Sequence, residues 1–557
     1  MNPSEYILEA DALSIAFGRG TRQTEVVRRI RLALKPGHTL AIVGESGSGK
    51  SVTSLALLNL LPPSQAHYTG GHIRTGTPLT SQPLDLPPGS QQLNALRGKG
   101  IAMVFQEPMT ALNPVMSCGR QVLECLETHT NLSRSEARNE VIRLFEEVHI
   151  PHAREAYDKY PHQMSGGQRQ RVMIAMAISC NPLVLIADEP TTALDVTVQR
   201  SVLQLLKGLQ MKYGMALLFI THDLGIVEDI ADEVLVMKSG EVVERGAVQD
   251  VLHHPKHPYT QKLIAARPSP EKKGKPLGES TFQFLRPAQN TGGEVLLEAH
   301  DLVKHYNSRG FFGKQKQFHA LKGVSFTIHK GETLGLVGES GCGKSTLSRV
   351  LLGLIPATSG EIRFEGKSLV GASGRQRREL MKDIQIVFQD PYSALNPTMT
   401  IGQAISEPIA FYGLRNSAEE RKSRVVELLE KVGLNEQHYS RYPHEFSGGQ
   451  RQRIVIARAL AVEPRLLICD ESVSALDVSV QAQVLNLLNQ LKSDFGLTYL
   501  FISHDLNVVY YMSDRIMVMR SGAIEEIGPA DQVFHHPKSN YTRDLLASIP
   551  GATGSGR

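Results

Sequence analysis

The sequence predicts an α/β protein made of two tandem copies of one domain, each with a mainly parallel sheet core and a helical subdomain. Three observations predict it. First, long motifs recur in the same order: GESGSGKS (44–51) returns as GESGCGKS (338–345), FQEPMTALNP from Phe105 as FQDPYSALNP from Phe388, YPHQMSGGQRQR from Tyr160 as YPHEFSGGQRQR from Tyr442, and Asp188-Glu189 as Asp470-Glu471. Second, TLAIVG and TLGLVG before the Gly-rich motifs, LVLIAD and LLICD before the acidic pairs, and ALLFITH with TYLFISH are short apolar runs. Such runs suit strands buried on both faces of a parallel sheet. Third, Val141, Leu144, Phe145 and Val148, with Val425, Leu428, Leu429 and Val432 as their counterparts, have the i, i+3, i+4, i+7 spacing of a helix with one apolar face.

The repeats set the boundaries. One half spans 1–267 and the other 294–550; between them 268–293, rich in Pro, Gly and Lys, reads as a flexible linker, and 551–557 as a disordered tail. The first half carries about eleven extra residues, in the loop-like TGTPLTSQPLDLPPGSQQ. Even the ends of the halves match, HHPKHPYTQKL from His253 against HHPKSNYTRDL from His535. Units this long exclude a solenoid.

With 557 residues, 41% hydrophobic and 21% charged, each half has the means to bury a core. A net charge of +4, with no basic stripe interleaved with aromatics, argues against a nucleic-acid partner. Five cysteines without a CxxC pair argue against a disulfide framework or a zinc site and read as reduced thiols. The amino terminus lacks the basic and apolar regions of a signal peptide, and no stretch approaches the eighteen or so apolar residues of a membrane span. Any membrane spans would have to come from other chains.

Both Gly-rich motifs fit G-x-x-x-x-G-K-[ST] after a strand, the phosphate-binding loop. Gly44, Gly47 and Gly49, and Gly338, Gly341 and Gly343, let the backbone N–H groups curl around a phosphate at the start of a helix. Lys50 and Lys344 are placed to reach the β- and γ-phosphates of a nucleotide, and Ser51 and Ser345 to hold Mg²⁺. Asp188 and Asp470 end apolar strands, where a carboxylate completes the Mg²⁺ site. Glu189 and Glu471 follow, where they orient or deprotonate the attacking water. His222 and His504 end further strands and are candidates for a γ-phosphate contact, since ligand sites of parallel sheets lie there. Gln106 and Gln389 end VFQ strands and are candidates for Mg²⁺ or the attacking water.

Ser165, Gly167 and Gln168, and Ser447, Gly449 and Gln450, combine a hydroxyl, glycine amides and a helix start, the parts of an anion grip. Each half already has a phosphate loop, so a second grip makes sense if it acts on a nucleotide held by another domain. The competing reading is a plain helix cap with an Arg-rich turn.

With these motifs in this order, the sequence resembles the ATP-binding-cassette (ABC) family over nearly all of its length. The resemblance adds the ALD loops, Ala193-Leu194-Asp195 and Ala475-Leu476-Asp477, and two halves that sandwich two ATP molecules head to tail within one chain. Lys50, Ser51, Gln106, Asp188, Glu189 and His222 would then face 447–450, and Lys344, Ser345, Gln389, Asp470, Glu471 and His504 would face 165–168. Phe17 and Tyr306 take the place of the adenine-stacking aromatic. Thr346 joins the nucleotide contacts of the second loop, where Val52 stands in the first. Met164 replaces the usual Leu before SGGQ, and Ser472 the usual proline after the second acidic pair; both halves keep glutamate, histidine and SGGQ, which implies two hydrolysing sites.

Within that family the motifs are similar to those of dipeptide, oligopeptide and nickel importers, and the single-chain fusion to ATPases of glutathione- and microcin-type uptake. That likeness implies two transmembrane permeases, a periplasmic or lipid-anchored solute-binding protein, and a peripheral place on the cytoplasmic face of the bacterial inner membrane. Some relatives carry an iron–sulfur cluster near the tail; with no cysteine between Cys180 and Cys342, none is expected here. His253, His254 and His257, set among Pro255 and Pro258, read as a rigid loop rather than a metal site. The alternatives are nickel or metallophore import, a soluble tandem cassette acting on ribosomes, and a DNA-repair cassette. The short Pro/Gly-rich linker and the missing cysteine pairs disfavour the last two.

Overall fold

The computed structural model describes residues 5–18, 23–76, 90–192, 194–279, 293–309, 315–372, 374–474 and 476–551. Most of the extra loop of the first half, the linker from 280, the tail from 552, and Ala193 and Ala475 lie outside the described residues. The chain divides into two compact units, Met1–Ile264 with Pro550–Arg557, and Ala265–Ile549.

The strands of the first unit are β1 (Leu8–Phe17), β2 (Thr24–Leu34), β3 (Thr39–Val43), β4 (Ala66–Thr75), β5 (Ile101–Val104), β6 (Val184–Asp188), β7 (Ala216–Ile220), β8 (Glu233–Lys238) and β9 (Glu241–Ala247). Its six-stranded sheet runs β5-β6-β7-β3-β8-β9. The strands from β5 to β8 pair in parallel and β9 closes the edge antiparallel. Every residue of β3, β6 and β7 is buried, as expected of strands covered on both faces.

The second unit repeats the plan with β10 (Val295–Arg309), β11 (Gln315–His329), β12 (Thr333–Val337), β13 (Ser359–Phe364), β14 (Lys367–Ser368), β15 (Ile384–Val387), β16 (Leu466–Asp470), β17 (Thr498–Ile502), β18 (Arg515–Arg520) and β19 (Ala523–Pro529). Its six-stranded sheet runs β15-β16-β17-β12-β18-β19.

A second sheet in each unit was not foreseen: antiparallel β2-β1-β4 in the first and β11-β10-β13-β14 in the second. Its strands lack a clean alternation because the pairing shifts register repeatedly, for example between Asp11 and Ser14. The face β1 buries, through Leu8, Leu13 and Ile15, packs on the core that holds Leu40 and Ile42 of β3.

The helical subdomains stand where the periodicity put them. Val141, Leu144, Phe145 and Val148 are buried around the helix Arg134–Glu147, which a reciprocal capping box between Ser133 and Glu136 starts. Val425, Leu428, Leu429 and Val432 are buried likewise around Ala418–Lys431. All five cysteines are free; burial pushes the Cys469 thiol up to about 12 and that of Cys118 to about 11, which keeps both unreactive at neutral pH. Among the described residues no helix is long and apolar enough to cross a membrane.

The first part of the expected linker is packed on the second unit. Leu277 is buried, its N–H donates to Asn486 Oδ1 (3.0 Å), and Asn486 Nδ2 donates back to the Leu277 carbonyl (2.8 Å). The Tyr511 hydroxyl donates to the Lys275 carbonyl (2.9 Å), and Lys273 reaches Asp531 (3.1 Å). Asn486→Leu keeps the side-chain volume but removes both amide bonds, a loss of about 1–3 kcal/mol where such groups are buried. Trypsin is therefore expected to cut at Lys272 or Lys273 several-fold faster in this variant, with the rest of the unit as resistant as before. Equal cutting rates would show that the amide pair does not hold the segment.

Candidate nucleotide sites

Each phosphate loop joins a buried central strand to a helix, β3 to Lys50–Leu57 and β12 to Lys344–Leu351. The first glycine of each is sterically required: a Cβ on Gly44 would stand 2.2 Å from the Met237 carbonyl oxygen, and one on Gly338 2.2 Å from that of Met519. Gly49 and Gly343, at φ 99° and 111°, turn the chain into the helix. Gly47 and Gly341 also have positive φ. The buried Lys50 folds back, Nζ donating to the carbonyls of Gly44 (2.8 Å) and Glu45 (2.9 Å); Lys344 does the same to Gly338 (2.6 Å) and Glu339 (3.1 Å). Thr346 lies half-buried on the first helical turn.

Parallel pairing of β6 and β16 beside β7 and β17 brings the acidic pairs to the same end of the sheet as these loops. Ser51 Oγ donates to Asp188 Oδ1 (3.2 Å) and Ser54 Oγ to Oδ2 (3.3 Å); in the second unit Ser348 Oγ donates to Asp470 Oδ2 (2.9 Å). Burial raises both aspartates above their ordinary values, against the opposing pull of these hydroxyls. Asp470 Oδ1 is buried and has no hydrogen-bond partner among the described residues. A carboxylate with a free buried oxygen beside a serine hydroxyl is an oxygen donor set of the kind hard divalent cations take.

One residue on, the chain leaves the strand abruptly. Glu189 and Glu471 have φ of 46° and 48°, the left-handed region that costs a residue with a side chain about 1 kcal/mol or more. Their N–H groups still bond to the neighbouring strand, at Ile220 and Ile502 (2.9 Å each). The strained turn aims each carboxylate at a histidine. Glu189 Oε1 lies 3.3 Å from His222 Nδ1, Gln106 Nε2 donates to its Oε2 (3.1 Å), and so does Thr192 Oγ1 (3.0 Å). Glu471 Oε2 lies 3.6 Å from His504 Nδ1 and accepts from Gln389 Nε2 (3.0 Å). Burial raises Glu189, but its bond to His222 and that ring's charge outweigh burial and leave it below the usual carboxylate value. At Glu471 the His504 bond is itself the largest influence and has the same result. Burial lowers both histidines, and their glutamates more than reverse this.

The structure thus gathers Lys50, Ser51, Asp188, Glu189, His222 and Gln106 in one unit, and Lys344, Asp470, Glu471, His504 and Gln389 in the other, where Ser348 bonds to the aspartate. Ser165 and Ser447 sit elsewhere in the geometry: each caps its own helix, the hydroxyl accepting from the N–H of Gln168 (3.3 Å) or Gln450 (3.4 Å), whose side-chain oxygens accept from the serine N–H (3.0 and 3.1 Å). Gly167 and Gly449 lie against Val198 and Val480, whose Cγ1 atoms an added Cβ would meet at 2.7 and 2.2 Å. Tyr306 is exposed on β10, while Phe17 ends β1 half-buried against the core. His253 pairs with Glu228 (3.3 Å) and His257 Nδ1 accepts from Tyr259 N–H (3.2 Å); among the described residues no three His, Cys, Asp or Glu side chains cluster as metal ligands. Sequence reasoning missed Ser54, Ser348 and Thr192. The serines had a signal, since they lie three residues beyond Ser51 and Ser345 on one helix face.

The family model of the ABC transporter matches residues 27–192 and 321–474, more than half of the chain, and that of the oligopeptide/dipeptide transporter C-terminal region matches 243–291 and 526–557. The chain is similar to the glutathione import ATP-binding protein GsiA of Salmonella paratyphi A, at 49% identity over 99% of this chain and 91% of that one. It is similar to the proteins of the same name of Pectobacterium atrosepticum (47%; 100% and 92%) and Escherichia coli O6:H1 (48%; 99% and 90%). A solved dimer of the cassette MJ0796 with ADP and Pi aligns with 42% of the chain at 30% identity, with a TM-score of 0.39. The chain belongs to the ABC transporter family, as an ATPase with two of the family's cassettes in one polypeptide.

Proposed function

We propose that this ATPase powers an importer of peptides or peptide-like solutes, glutathione among the candidates, through two ATP sites completed head to tail by the two halves. Import and cargo class rest on the match of both half-ends to the oligopeptide/dipeptide transporter C-terminal region and on the glutathione import named for a relative of which this chain covers 91%. Two transmembrane permeases and a solute-binding protein are the partners this reading requires, with the chain peripheral on the inner membrane. The repeat limits at 1–267 and 294–550 belong to it as well, with the docked stretch 273–277 joined to the second half.

The observation that carries two active sites is the duplicated cluster of glutamate, histidine and glutamine, intact and of like geometry in both units. Lys50 and Lys344 neutralise charge on the phosphates. Ser51 and Asp188, with Gln106, and Ser345 and Asp470, with Gln389, would hold Mg²⁺, which supplies charge stabilisation to the transferring phosphoryl group. Glu189 and Glu471, ionised at neutral pH, take the proton of the water that attacks the γ-phosphorus, and His222 and His504 orient them. Phe17 and Tyr306 stack on adenine; the hydroxyl and amides of 165–168 and 447–450 grip the γ-phosphate of the nucleotide bound by the other half.

Cysteines placed at Ser51 and Ser447 test the composite arrangement. A short bifunctional thiol reagent is expected to link them in the full chain with ATP present, at least several-fold more than without nucleotide, in a background where the native cysteines are replaced. Equal linking under both conditions removes the support for nucleotide-driven closure.

A further inference from the structure

The duplicated half-ends have no part in the chemistry above, yet in both units one tyrosine of that segment reaches the phosphate loop. The hydroxyl of Tyr259 accepts a hydrogen bond from the backbone N–H of Glu45 (3.2 Å), and that of Tyr541 from the N–H of Glu339 (3.3 Å). These are the second residues of the two loops. The carbonyls of the same residues accept from Lys50 and Lys344. Each loop is therefore braced twice at one residue, by the lysine that faces phosphate and by a tyrosine some two hundred positions away in sequence.

The tyrosines are themselves held. Both are nearly fully buried, with Lys238 Nζ 5.0 Å from the centre of the Tyr259 ring and Arg520 Cζ 4.8 Å from that of Tyr541. The turn before each is pinned by a carboxylate: Glu244 accepts from the N–H groups of Lys256 (2.8 Å) and His257 (3.2 Å), Glu526 from those of Lys538 (2.9 Å) and Ser539 (3.1 Å). The tyrosine N–H is then capped by His257 Nδ1 in one unit and Ser539 Oγ in the other (3.2 Å each). The sequence changes from KHPY to KSNY, but the contact with the loop is kept.

We infer that Tyr259 and Tyr541 are positioning residues that hold the phosphate loops in their binding shape, so that the half-end segments set the affinity for ATP without touching it. A loop released from this bond samples other shapes, and binding must first restore the competent one. The effect falls on affinity rather than on the bond-breaking step, because the glutamate and histidine are carried by other strands.

This rests on the reading that the loops hold the phosphates of ATP, and the test separates the two. In the full chain, Tyr259→Phe with Tyr541→Phe keeps both rings and removes only the hydroxyls; KM for ATP is expected to rise about 3- to 10-fold, as for one lost hydrogen bond, with kcat within twofold. Tyr213→Phe, which removes a hydroxyl bonded to Glu147 (2.8 Å), is expected to leave KM unchanged. An unchanged KM in the double variant overturns the inference, as does an equal rise in the Tyr213 control or a fall in kcat without a rise in KM. Lys50→Ala with Lys344→Ala, assayed for binding of a fluorescent ATP analogue, tests the reading beneath: intact binding there overturns both, whereas lost binding with an unchanged tyrosine variant overturns the inference alone.

Discussion

Replacing both Glu189 and Glu471 with glutamine is expected to slow ATP turnover by about 10²- to 10⁴-fold, the range that general-base catalysis supplies, while ATP still binds. Glutamine keeps the shape of the side chain and one carbonyl oxygen to accept from Gln106 or Gln389. It cannot take a proton from water at neutral pH. Nor can it hold the charge that raises His222 and His504, so both rings should become easier to deprotonate in the variant. Nothing that grips the phosphates is removed: Lys50 and Lys344 lean on loop carbonyls, and Ser51 bonds to Asp188 rather than to the glutamate. Each single replacement is expected to lower the steady rate at least about twofold, because each disables one of two like sites. Turnover and binding of a fluorescent ATP analogue, measured on the same preparations, check this. Turnover within threefold of the parent in the double variant would mean that neither carboxylate is the base. Lost binding would mean that the strained turns at these residues, not their chemistry, were disturbed.

What could be read in advance depends on the range of the interactions. A phosphate loop is specified by eight consecutive residues, so its lysines and glycines were visible at once, and the strand before it announced itself through an unbroken apolar run. Glu189 and Glu471 were visible because they follow such runs directly. Their left-handed backbone was not, since nothing local in DEP or DES distinguishes a strained turn from an ordinary one. Strands β1 and β10 escaped notice because bulges break the period of two on which strand recognition depends. The docked start of the linker was misread for a related reason: among prolines, glycines and lysines only Leu277 is strongly apolar, and its partner Asn486 lies far along the chain. Tyr259 and Tyr541 belong to a repeat that was plain in the sequence, but the bond that gives them meaning joins residues more than two hundred apart.

Ser165 and Ser447 are the residues for which sequence and structure leave two jobs in competition, and a single substitution can separate them. Aspartate caps a helix about as well as serine, and its charge at the first turn favours the helix by about 0.3–1 kcal/mol through the dipole. If these serines only cap the helices Gly166–Ile178 and Gly448–Leu460, then Ser165→Asp with Ser447→Asp leaves melting temperature and turnover as they were or slightly raised. If they grip the γ-phosphate of a nucleotide held by the other half, the new carboxylate meets an anion at close range. Like charges brought together so closely cost several kcal/mol, or about 100-fold and more in turnover. The composite-site reading therefore expects a stable, well-folded double variant that hydrolyses ATP at least about 100-fold more slowly than the parent. Because the cap is preserved, a lost rate cannot be blamed on a frayed helix, which is the weakness of an alanine substitution at the same place. A variant that melts as the parent does and turns over ATP at the parent rate would show that each half completes its reaction centre without the other.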